Sequence, residues 1–329
     1  MNPSHSLARW LTAAATAATL LIPSLAAGQD KYPVKPISMV VPFPPGGVAD
    51  LVARAIAPAM ERSLGQPVVI LNKAGAGGAL GTAQVAAARP DGYALLMALS
   101  SVSTNPEQEQ INNRPAAFQL EQLAPIARIS REDMMLAVRP ESRYRTVADL
   151  VADARARPGA VSYASSGVYG VYHVATEMFA DAAGIKLLHA PYGGGAPALL
   201  ALMSGQVDVG LVTRSVGAAQ LKAGKLRPLA AWGDARWDDF AQAPTLKEAG
   251  YAVDYTLWSG IFGPAGMPPE VMQSLRAAVR TAIEDPRFRE SMARAGAPLA
   301  YLDAPEFQRY WEADSDRLIK AVRKIGKMQ

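Results

Sequence analysis

Cysteine is absent from all 329 residues. That excludes disulfides, thiol chemistry and anchoring through a lipidated cysteine. Histidine is nearly absent: beyond the first thirty residues only His173 and His189 remain, too few for a histidine-rich metal site, and no cofactor is expected. After residue 26 no apolar run approaches the roughly 20 residues that a membrane span needs. There is no basic stripe either. The 33 lysines and arginines are interspersed with 29 acids, for a net charge of +4. The terminal cluster Lys320, Arg323, Lys324 and Lys327 alternates with Leu318, Ile319, Val322 and Ile325, as on the solvated face of a helix, so no nucleic acid is expected as a partner. The small positive excess favours small anionic ligands.

The N-terminus has a different character. Arg9 precedes an apolar run over 10–22, Pro23 breaks it, and Ser24-Leu25-Ala26 supplies small residues for cleavage. Residues 1–26 therefore read as a signal peptide, and the mature protein is expected to be exported and soluble. The rest, half of it hydrophobic over the whole chain, is long enough for about two domains.

The most informative stretch is VPFPPGG at 41–47. A β-branched run over 37–41 ends in three prolines and two glycines, which cannot continue a strand. From 48 to 64 apolar residues return at helical spacing, with Asp50 in the first turn and Pro58 expected to kink or interrupt the helix. Strand, turn and helix N-terminus in that order make a ready anion site. The arrangement recurs. Strands are expected at 67–71 (buried), 93–99, 125–129, 134–138, 161–164, 185–190, 207–212, 226–231 and 255–262. Helices are expected at 147–155, after 167, after 195 and at 216–223, and the segment 269–327 reads as helical. This alternation predicts an α/β protein with mainly parallel sheets flanked by helices. Ligands of such sheets gather at the carboxyl ends of strands, here 42–47, 72–78, 100–101, 165–167, 192–195 and 213–215. Those ends are rich in Gly, Ser, Thr and Pro. Short Gly-rich turns occur in every α/β protein, but six at one end of two sheets favour a shared cleft.

The ordered set VPFPPGGVAD, GQPVVILNKAGAGGALG, PDGYALL, YASSG, HAPYGGGAPALLALMSGQVDV and KAGKLRPLA resembles the Bug family. These are the periplasmic solute-binding receptors of tripartite tricarboxylate transporters, and the resemblance covers essentially the whole mature chain. It implies a two-lobed periplasmic-binding-protein type II fold joined by crossing strands, with 30–128 and 255–329 in one lobe and 129–254 in the other. It also implies a non-enzymatic, monomeric receptor, periplasmic and not lipid-anchored, that closes on a small mono- or dicarboxylate and presents it to membrane transporter subunits. The implied ligand residues are Phe43, Pro44, Gly46 and Gly47 with Ala76, Gly77, Ser100 and Ser101 on one lobe. Ser165, Ser166, Tyr192, Gly194, Thr213 and Arg214 are their counterparts on the other, and the aromatic Tyr169 is a further candidate that either lines the cleft or packs. This chain departs from the family at Val168-Tyr169-Gly170-Val171, at Gly193-Gly194-Gly195 where Lys-Gly-Ser is usual, and at Val212-Thr213-Arg214. With a lysine and hydroxyls lost, Arg214 is expected to meet a distal carboxylate.

Gly75-x-Gly77-x-x-x-Gly81 loosely matches a dinucleotide fingerprint, but the nearby acid, Asp91, sits in a Pro-Asp-Gly turn before the strand, so a nucleotide role is not expected. By sequence alone these glycines serve turns or an anion site about equally, and the resemblance favours the second. No G-x-S-x-G surrounds Ser165 or Ser166, which weakens the alternative of a secreted serine hydrolase. His173 reads as structural, and His189 as core or as backing the site. Asp50 is expected to support the turn, since a carboxylate repels an anion. Asp208 reads as structural, while Trp258 either lines the cleft or packs. A ligand sensor for a membrane kinase is the remaining alternative.

Overall fold

The computed structural model describes residues 32–327, so the expected export segment lies outside the described residues. Strand β1 (Ile37–Val41) ends at the proline-glycine turn, and helix α1 (Val48–Leu64) follows it. Pro58 does not interrupt α1. It sits on the exposed face of the helix, where the Arg54 carbonyl that loses its partner can face solvent. Strand β2 (Val68–Asn72) is mostly half-buried rather than buried, because it forms a sheet edge.

Helix α2 (Ala79–Ala86), strand β3 (Ala94–Leu99) and helix α3 (Asn105–Ile111) come next. Strands β4 (Leu123–Glu132) and β5 (Met134–Val138) are separated by Asp133 alone. The Thr146 hydroxyl, which accepts the Asp149 amide at 3.2 Å, starts helix α4 (Val147–Ala156). Strand and helix then alternate through β6 (Ser162–Ser165), α5 (Val171–Ala183), β7 (Leu188–Pro191), α6 (Gly195–Ser204), β8 (Val209–Thr213), α7 (Arg214–Lys222) and β9 (Arg227–Ala231). The chain closes with β10 (Leu257–Pro264), α8 (Pro269–Glu284), α9 (Pro286–Arg294), β11 (Leu299–Asp303) and α10 (Ala304–Ile325). The C-terminal segment is thus not all helical. Half-buried Leu-Ala-Tyr-Leu pairs with β4 at the sheet edge, and a strand so short shows little periodicity.

Two sheets result, in the orders β11-β4-β10-β3-β1-β2 and β7-β6-β8-β5-β9. In the first, β1, β2, β3 and β4 run one way and β10 and β11 the other; in the second only β5 is reversed. Four of the nine strand pairings are parallel and five antiparallel, so the sheets are mixed rather than mainly parallel as expected, because the chain crosses between them at Asp133 and returns at β10. Strands β5, β8 and β10 are buried along their whole length, as continuous apolar runs covered on both faces should be. Trp258 belongs to the core rather than to the cleft. It is fully buried among Phe262, Phe307 and Tyr310, and its Nε1 donates to Asp314 at 2.8 Å. Among the described residues no helix is long and apolar enough to cross a membrane.

Candidate functional site

The turn after β1 is built before any ligand is considered. Asp50, buried in the first turn of α1, accepts the Gly46 amide at 2.9 Å and the Arg54 Nε at 3.0 Å. Asn72, at the end of β2, donates to Asp50 at 3.0 Å and to the Phe43 carbonyl at 3.1 Å. Burial pushes the Asp50 carboxyl up, but Arg54, Gly46 and Asn72 outweigh it and hold the group below its ordinary range. Asp50 therefore stays charged and pins the turn from behind.

In front of this turn lies a cavity of about 20 Å³, room for about one water. Phe43, Pro44 and Gly47 line it from the first sheet, with Ser101 from the end of β3. From the second sheet come Ser166 and Gly194. These six are the residues of the expected site that the fold brings together around the cavity.

The others stand around or behind it. A Cβ on Gly46 would lie 3.9 Å from that of Ala196, so Gly46 abuts the facing loop. Ala76 and Gly77 have φ of +48° and +63°, and a Cβ on Gly77 would stand 3.2 Å from the Val168 carbonyl of the opposite sheet. Ser100 is buried with its hydroxyl 3.2 Å from that of Tyr255. Tyr169 is buried, donates its hydroxyl to the Gly326 carbonyl at 2.7 Å, and accepts Thr104 Oγ1 on its own carbonyl at 3.2 Å. Tyr192 donates to Gln206 at 3.1 Å, and Thr213 lies buried with its hydroxyl 3.3 Å from that of Ser215. Arg214 is the first residue of α7 rather than part of a loop. Its guanidinium lies 4.5 Å from the Trp237 ring centre and 4.0 Å from Asp239, and it is not among the cavity-lining residues.

Sequence reasoning passed over the first turns of the helices that follow each turn. Val48 and Ala49 of α1, Val171 and Tyr172 of α5, and Ala196 and Pro197 of α6 all line the cavity, as do Leu99 and Leu257, beside Gly195 of the expected 192–195 turn. The signal was available: each strand-end turn runs into a helix whose first residues must share its location. None of the N-cap residues Gly47, Gly170 and Gly194 supplies a side-chain cap. Ser166 Oγ accepts the Tyr172 amide at 3.3 Å, but most first-turn amides of α1 and α6 have no partner inside their helices. No charged side chain lines the cavity. An anion there would meet backbone dipoles and hydroxyls.

Behind Ser166 the buried Ser165 hydroxyl lies 2.6 Å from His189 Nε2, and His189 stacks on His173 at 4.0 Å. Burial, and for His173 also the neighbouring ring, lowers them to about 3 for His173 and about 4 for His189. Both are neutral at neutral pH, and His189 is a weak base. Asp208 accepts the Ser162 amide and hydroxyl at 2.8 and 2.7 Å, a purely structural role. Among the described residues no cluster of His, Asp and Glu could hold a metal ion.

Residues 52–327 match the model of the tripartite tricarboxylate transporter family receptor. The chain belongs to this family. It is 30% identical to the periplasmic binding protein BugD, with a TM-score of 0.82 over 89% of this chain and 98% of that one. A Rhodopseudomonas palustris protein solved with adipate is 29% identical, with a TM-score of 0.81 over 89% of this chain and 97% of the other. MatC of Rhodopseudomonas palustris, solved with bound malate, is 26% identical, with a TM-score of 0.80 over 88% and 99%. The receptor carries the two-sheet α/β fold of these periplasmic binding proteins.

Proposed function

We propose that this receptor captures a small organic carboxylate between its two sheets, which part to admit it because the cavity they leave here has room for about one water, and presents it to membrane subunits of a tripartite transporter. The observation that carries this reading is the convergence of the uncapped N-termini of α1 and α6 on one cavity without charged side chains. Helix dipoles and free amides neutralise a carboxylate there without a cationic side chain. The two family members solved with adipate and malate support the ligand class.

In this reading the sheets act as two lobes, 30–128 with 255–329 against 129–254. Phe43, Pro44, Gly47 and Ser101 hold the ligand from the first lobe, and Ser166 and Gly194 from the second. Gly46, Gly77 and Tyr169 serve the meeting of the lobes. Closure excludes water and strengthens the hydrogen bonds to the ligand. The protein works as an exported periplasmic monomer and performs no reaction. Ser165 is sealed behind the cavity, and its histidine partner is too weak a base to activate it at neutral pH.

A thermal-shift screen of mono-, di- and tricarboxylates tests the reading. A ligand at 100 times its Kd stabilises by about 2.7 kcal/mol. No shift with any carboxylate would refute the proposal.

A further inference from the structure

Tyr172, in the first turn of α5, is 2% exposed and is one of the residues that line the cavity. Its hydroxyl has no hydrogen-bond partner. An unsatisfied buried hydroxyl carries a real desolvation cost, so the fold keeps this group at a loss. Its surroundings show what it faces. A Cβ built on Gly195, the first residue of α6, would stand 3.1 Å from the hydroxyl, so the oxygen lies against the opening turn of that helix. The ten residues of α6 begin with no side-chain cap and no acid in the first turn, leaving the Gly195 and Ala196 amides as donors. On the protein side the Thr213 amide and hydroxyl stand near enough to interact with the phenol oxygen and offset part of the effect of burial, though neither reaches good hydrogen-bond geometry, and Glu132, the other polar neighbour, is already occupied by Ser215 at 2.8 to 3.1 Å. Burial raises the phenol's pKa, which keeps the hydroxyl protonated and able to donate.

We propose that the Tyr172 hydroxyl and the first-turn amides of α6 together hold a carboxylate oxygen of the ligand, making Tyr172 a specificity-determining residue of this receptor. The inference rests on the carboxylate-receptor reading. The Thr213 amide can only donate, so the phenol's own proton has no acceptor until a ligand oxygen arrives, and a site built to hydrogen-bond a ligand discriminates strongly once one partner is removed.

Tyr172→Phe, examined by calorimetry with adipate, malate and benzoate and by melting without ligand, tests the proposal. Without ligand the variant should melt at or above the wild-type temperature, because an unpaired polar atom is removed. The Kd of whichever of the three anions binds the wild type should rise about 10- to 100-fold, the range for a hydrogen bond to a charged group. A Kd within twofold of wild type overturns the inference and leaves the receptor reading intact. A clear drop in the ligand-free melting temperature assigns the hydroxyl to the fold and overturns it as well. Should none of the three bind the wild type, the most strongly stabilising anion of the carboxylate screen takes their place, and absence of any such anion overturns both.

Discussion

Glu132 offers a perturbation whose size follows from its surroundings. It ends β4 where the chain leaves the first sheet, pairs in register with the cavity-lining Leu257, and is wholly buried. Its carboxylate accepts the Ser215 amide at 3.1 Å and the Ser215 hydroxyl at 2.8 Å. Burial pushes its pKa up to about 7, against hydrogen bonds from Ser215 and Thr213 and the charge of Arg214. The unfolded group titrates near 4.3. Between these values the folded protein holds a proton that the unfolded chain has lost, so this group's contribution to stability falls as pH rises and is constant above about 7. From pH 5 to pH 8 the decline spans about 2 pH units, which is about 3 kcal/mol.

Glu132→Gln keeps an acceptor for Ser215 and removes the charge. Wild type and variant should be unfolded in urea at pH 5 and pH 8. The stability of the variant relative to wild type should improve by about 3 kcal/mol between the two conditions. His173 and His189 work in the opposite direction: their lowered values make stability rise with pH towards 6.5. They are common to both proteins and cancel in the comparison. An unchanged difference between pH 5 and pH 8 would refute the buried, proton-holding carboxylate.

Three further outcomes are expected. Gly77→Val meets a left-handed φ of +63° and the Val168 carbonyl at 3.2 Å, so it should lose about 1–2 kcal/mol of stability and weaken ligand binding together; urea unfolding with calorimetry checks both. Gly47→Val has ordinary φ and ψ of −85° and 172° and nothing nearer its Cβ than the Pro44 carbonyl at 3.9 Å. Stability within about 0.5 kcal/mol of wild type, with at least tenfold weaker binding, is therefore expected there, and an unchanged Kd would remove Gly47 from the site. Intact-mass analysis of protein recovered from the periplasm should show a chain starting at Ala27, and retention of residues 1–20 would contradict export by cleavage.

Most of the fold was legible because its signals are local. Prolines and glycines at 42–47, Gly65 and Gly184 mark where elements stop, and β-branched runs mark strands. What escaped depends on tertiary context. Pro58 is tolerated because of the direction it faces, and β11 exists because β4 offers an open edge. In the site, the strand-end turns were visible as composition, and Phe43, Pro44, Gly47, Ser101, Ser166 and Gly194 do line one cavity. Side-chain direction was not visible. Arg214 looked like a lone charge in a loop, yet it caps Trp237 from the start of a helix. Tyr172 carried no signal of its own in the sequence. Gly47 and Gly77 seemed equivalent by sequence, and only the dihedrals and neighbours separate them. The contact between Ser165 and His189 joins residues 24 positions apart, a pairing that no local motif announced.

The central claim is the location of a carboxylate, and a crystal structure of the mature protein with the most strongly stabilising carboxylate from the thermal screen tests it most directly. The account predicts ligand density between the turn at 42–47 and the first turn of α6, with a carboxylate oxygen within about 3.2 Å of backbone amides. Density confined to another groove, such as the one between α5 and α10 near Asp181 and Lys324, or a carboxylate held chiefly by side-chain cations, would contradict it.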